Sequence, residues 1–135
     1  MAWLVMFTIS GAPCVFYGDE IGVEGGHDPE CRKAFPWDES KWDKDLLQYA
    51  KDCIALRKEN ACLRRGDYKR IYAEGDVMAY IRSHFNEKVT VVFNVSNEAK
   101  TIELPFIKKP QVLLGSPVIA GNQITIPARS GVVLK

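Results

Sequence analysis

The sequence predicts an α/β segment followed by an all-β domain, and three features carry that expectation. Leu46, Leu47, Ala50, Cys53 and Ile54 recur at helical spacing. After Gly66 the texture changes to period-two runs rich in β-branched and aromatic residues. Ahead of both, Gly18 to Asp43 combines acids, glycines and prolines with no sustained periodicity, the grammar of a long loop inside a compact domain.

The first element is the apolar run Ala2 to Ile9, read as the end of a helix. Gly11, Ala12 and Pro13 then interrupt the chain, and Val15 to Tyr17 follows as a short buried strand. At eight residues the opening run is far shorter than the roughly 20 needed to cross a bilayer. No basic residue precedes it, so it does not read as a secretory signal.

After the loop, Asp43 is placed to cap the helix, and Arg57 and Lys58 stand in its last turn, where cations complement the helix dipole. The expected strands are Tyr68 to Ala73, Val77 to Arg82, Val89 to Val95, Thr101 to Leu104, Gln111 to Leu114, Ile124 to Ile126 and Val132 to Leu134. Turn residues such as Glu74-Gly75-Asp76 and Ala120-Gly121-Asn122 separate them. Short strands at this spacing predict an antiparallel β-sandwich. The boundary between the two segments falls near residues 60–66, giving units 1–62 and 63–135.

Composition narrows the function. A chain of 135 residues buries roughly two-thirds of its unfolded surface, and 47% apolar with 26% charged residues is ordinary for a globular protein. A net charge of +1 creates no field toward nucleic acid or an anionic membrane, so neither is expected as a partner, and a neutral ligand fits better. The four cysteines form no CxxC pair and read as free thiols of a reducing, cytoplasmic environment. His27, Asp28 and Cys31 lack a fourth ligand for zinc, and the acids do not alternate as a calcium loop requires, so no metal or cofactor is expected. The sequon Asn94-Val95-Ser96 falls at a strand end and is read as unmodified.

The loop carries the chemistry. Asp19, Glu20, Glu24, Asp28, Glu30 and Arg32 stand among glycines, with Phe35, Trp37 and Trp42 close behind. Sugar hydroxyls both donate and accept, which suits carboxylates and guanidinium forks, while aromatic rings cover the apolar face of a pyranose. Acidic loops are also common as plain solvated surface, so residue types alone leave the choice open.

The order of residues adds to this. Gly11-Ala12-Pro13-Cys14-Val15-Phe16-Tyr17-Gly18-Asp19-Glu20-Ile21-Gly22 resembles the GxPxxYYGDEIG segment of the α-amylase family. The continuation Gly25-Gly26-His27-Asp28-Pro29-Glu30-Cys31-Arg32, with Pro36-Trp37, is similar to its neopullulanase, maltogenic amylase and cyclomaltodextrinase branch. Leu46 to Asn60 resembles the family's last barrel helix, and the β-rich remainder its C-terminal sandwich. The resemblance implies that residues 1–62 are the end of a (β/α)8 barrel: the end of helix seven, strand eight, a loop and helix eight. It implies α-linked glucans as substrate, with Asp28 and Arg32 gripping a glucose ring and Tyr17, Asp19 and Glu20 supporting the cleft.

A retaining glycosidase needs two carboxylates about 5 Å apart, and the family places its catalytic acids on earlier barrel strands. Asp19 and Glu20 are adjacent, so on an extended chain they point to opposite faces and cannot flank one bond. The chain is therefore expected to be non-catalytic by itself, supplying one cleft wall and a stabilising sandwich. A barrel edge left without its neighbours implies self-association. A stand-alone carbohydrate-binding module and a purely structural or interaction domain stand as alternatives.

Overall fold

A computed structural model describes residues 1–104 and 110–135. Three helices precede eight strands: α1 (Ala2–Thr8), α2 (Lys44–Glu59), α3 (Ala61–Arg65), β1 (Asp67–Glu74), β2 (Val77–His84), β3 (Glu87–Asn94), β4 (Lys100–Glu103), β5 (Val112–Leu114), β6 (Val118–Ala120), β7 (Gln123–Ile126) and β8 (Ser130–Leu134). All strand pairs are antiparallel. They form a five-stranded sheet in the order β1-β2-β3-β8-β5 and a three-stranded sheet in the order β4-β7-β6.

The central sheet is covered on both faces. Tyr80 of β2, Val89, Val91 and Phe93 of β3 and Val133 of β8 pack against Trp3, Leu4, Phe7, Ala50, Cys53, Leu56 and Leu63 of the helices. Their strand neighbours Val77, Ala79, Val92, Val132 and Leu134 face Ile102, Ile124 and Ile126 of the second sheet. Alternation at period two thus feeds two cores from the same strands. The segments 1–62 and 63–135 share the helix-side core.

Local signals placed α2 where the sequence predicts it. The Asp43 carboxylate accepts the Leu46 N–H at 2.8 Å, satisfying one orphan donor of the first turn. Arg57, expected only to complement the helix dipole, is buried and does more. It donates to the carbonyls of Phe7, Ile9, Gly11 and Leu63.

One expectation needs correction. Val15 to Tyr17 is neither a strand nor buried: the segment makes no ladder, and Val15, Phe16 and Tyr17 are 40%, 52% and 47% exposed. A strand exists only through a partner, and among the described residues no other strand pairs here. Residues 60–66 contain α3, whose Cys62 and Leu63 enter the core. The short strand β6 was not anticipated, because three residues after Ser116-Pro117 are too few to display alternation.

The sequon asparagine is a structural residue. The Asn94 side chain is fully buried, its amide donating to the carbonyls of Glu98, Ile126 and Pro127 and its oxygen accepting from Ser96. No hydrogen-bonding capacity is left facing solvent for modification.

Candidate functional site

The loop from Gly18 to Asp43 begins with one tight turn. Asp19–Ile21 forms a single 3-10 turn between Gly18 (φ 93°) and Gly22 (φ 74°), both in the left-handed region that favours glycine. A Cβ on Gly18 would also meet the Val23 side chain at 2.9 Å. Ile21 is buried, and its carbonyl accepts the Asp43 N–H at 3.1 Å, tying the loop start to the head of α2.

The residues predicted as cleft support are spent on this turn. Asp19 accepts the Phe16 N–H at 3.3 Å, and Glu20 accepts the Gly18 N–H at 2.9 Å. The Tyr17 hydroxyl donates to the Lys33 carbonyl at 2.9 Å, and the Lys33 ammonium to the Glu24 carbonyl at 3.2 Å, folding the far limb back onto the near one. Glycine at position 25 allows that return: a Cβ there would sit 3.1 Å from the Cys31 backbone. Between the limbs lies a depression of about 210 Å³ lined by Phe16, Tyr17, Asp19, Glu24, Cys31 and Lys33, among others.

Asp28 and Arg32 occupy the tip. Backbone bonds from Glu30 N–H to the His27 carbonyl and from Arg32 N–H to the Pro29 carbonyl close two successive turns. This local coiling brings residues four apart together, and Arg32 Nη2 donates to Asp28 Oδ2 at 2.9 Å. The pair is open to water, its side chains 71% and 61% exposed for Arg32 and Asp28. One guanidinium nitrogen is engaged, leaving donors and carboxylate lone pairs for a ligand rich in hydroxyls.

Aromatic residues follow at once. Phe35 meets Trp37 edge-on at 5.0 Å and Trp42 at 5.8 Å, and Trp42 Nε1 donates to the Pro36 carbonyl at 2.7 Å. The two tryptophans, equivalent in the sequence, are separated by the fold: Trp42 is partly buried, whereas Trp37 is 84% exposed. Among the described residues no three His, Cys, Asp or Glu side chains converge on one point.

A larger groove of about 360 Å³ between α1 and the β1–β2 hairpin is apolar, with Asp76 its one charged side chain. No described helix is long and apolar enough to cross a membrane.

The comparisons agree with this architecture. The family model described as the α-amylase SusG C-terminal domain matches residues 77–133. A cyclomaltodextrinase of Geobacillus thermopakistaniensis is 45% identical over 107 residues, covering 78% of this chain and 18% of that protein. One from Thermoanaerobacter pseudethanolicus is 32% identical across the whole chain and 24% of its own length. The chain thus spans less than a quarter of these curated relatives. Among solved structures, the debranching enzyme of Nostoc punctiforme superimposes with a TM-score of 0.88 at 30% identity, over 98% of this chain and 30% of that one. The chain belongs to the α-amylase family of glycoside hydrolases and corresponds to the C-terminal part of its enzymes.

Proposed function

We propose that this chain is the C-terminal part of an enzyme acting on α-linked glucans such as maltodextrins, cyclodextrins or pullulan. Residues 1–62 supply the end of a (β/α)8 barrel, with α2 as its last helix. Residues 63–135 form the appended sandwich. The chain is non-catalytic by itself, contributing one wall of the substrate cleft, and works in the cytoplasm. The exposed apolar edge at Val15, Phe16 and Tyr17 takes up barrel neighbours, or causes self-association in their absence.

The observation that carries this reading is the division of labour within the loop. Tyr17, Asp19 and Glu20 are consumed in holding the loop's shape, while Asp28 and Arg32 stand outward with hydrogen-bonding capacity to spare. Asp28 and Arg32 are therefore assigned to substrate and the first three to support.

The test is a chimera in which this chain replaces the corresponding part of a cyclomaltodextrinase. Cyclodextrin hydrolysis is expected, and Asp28→Asn or Arg32→Gln lowers kcat/KM by about 10- to 100-fold, the loss of one charge-assisted hydrogen bond. Unchanged kinetics in both variants removes Asp28 and Arg32 from the substrate site. Hydrolysis by the isolated chain overturns its non-catalytic assignment.

A further inference from the structure

Between Arg32 and Trp42 the loop is pinned twice. Tyr17 holds the Lys33 carbonyl and Trp42 Nε1 holds the Pro36 carbonyl, so the short span between them is fixed at both ends. Trp37 follows immediately, its ring braced edge-on by Phe35 and 84% open to water. Among the described residues its indole N–H donates to no partner, whereas that of Trp42 is satisfied. A large apolar ring held open to solvent, with a free donor at its rim, gains from a ligand that offers both an apolar face and hydroxyls.

We infer that Trp37 is a stacking platform for a glucose ring of the same oligosaccharide whose neighbouring unit Asp28 and Arg32 grip. The inference rests on the reading of Asp28 and Arg32 as sugar contacts and adds a second point of attachment. Trp37 lies five positions after Arg32, a reach of at most about 18 Å for an extended chain, which a few linked rings span. The ligand is neutral because the Asp28–Arg32 pair is internally compensated and Trp37 adds no charge.

The experiment is calorimetric titration of the full chain with maltoheptaose and with maltose. Wild-type chain binds the longer ligand in the millimolar range; Trp37→Ala weakens it about 3- to 10-fold, Trp37→Phe retains most of the affinity, and maltose is affected less. Loss of affinity in Asp28→Asn but not in Trp37→Ala overturns the platform and leaves the Asp28–Arg32 reading standing. The reverse result supports the platform and removes Asp28. Indifference of both variants overturns both. Absence of saturable binding by the wild-type chain overturns the platform, while the chimera's hydrolysis independently decides the broader reading.

Discussion

Arg57 and Arg82 grip the same end of α1 from two different elements. Arg57 Nη1, on α2, donates to the Phe7 carbonyl at 3.0 Å and the Ile9 carbonyl at 3.2 Å. Arg82 Nη1, on β2, donates to the Thr8 carbonyl at 2.6 Å. Arg82 also holds Gly66 and Asp67 through their carbonyls. Neither forms an ion pair among the described residues; backbone carbonyls at a helix C-terminus supply the negative potential instead. Burial, together with Arg82 and Arg64 nearby, holds the Arg57 guanidinium below its ordinary pKa.

Removing either clamp strands several buried carbonyls. Arg82→Ala is expected to destabilise the chain by about 3 kcal/mol, and Arg57→Ala by a similar amount. The double variant should lose less than the sum, because each first loss already frees the end of α1. Urea unfolding of the four proteins checks this, and strict additivity would mean the two arginines act on separate structures.

Gly131 lies directly beneath α1. A Cβ there would come within 2.6 Å of Leu4 Cδ2 and 2.9 Å of the Phe93 ring. Gly131→Ala should therefore cost about 1–3 kcal/mol by overpacking. Adding Leu4→Ala to it should cost less than Leu4→Ala costs alone, since the new methyl fills part of the space vacated. Thermal unfolding of the double-mutant cycle measures this, and an unchanged Leu4→Ala penalty would count against the contact.

The four thiols divide two and two. Cys14 and Cys31 are exposed; Cys53 and Cys62 are buried, and desolvation pushes both of the latter up to about 11. Since the thiolate is the reactive form, Ellman's reagent at neutral pH should label two thiols in the native chain and four after denaturation. Rapid native labelling of all four would show that the helix layer opens.

Glu87 links α3 to the C-terminal residue. Its carboxylate accepts the Cys62 N–H at 2.7 Å and the Lys135 ammonium at 2.9 Å. Partial burial pushes its pKa up, but the Cys62 N–H and Lys135 outweigh that and hold it below the ordinary 4.5. A depressed folded pKa means the stabilisation is fully present above the unfolded value and is lost as pH falls through the folded one. The stability difference between wild type and Glu87→Gln should be constant above about pH 5.5 and shrink below about pH 4.5. A difference that grows on acidification would reverse the sign assigned to this group.

Sequence order alone determined what is local. The cap at Asp43, the helix it starts, the period-two strands and the Asp28–Arg32 encounter all arise between residues no more than a few positions apart, where spacing dictates geometry. The two-glycine turn at Gly18 and Gly22 is equally local, although its use of Asp19 and Glu20 as internal acceptors needed coordinates. Tertiary structure decided the rest. Arg57 and Arg82 find carbonyls 50 and 74 residues away, which no periodicity encodes. Trp37 and Trp42 differ only in what the folded loop places against them. Val15 to Tyr17 has the composition of a strand and is not one, because a strand is a relation between chains of hydrogen bonds, and only the fold supplies the second member.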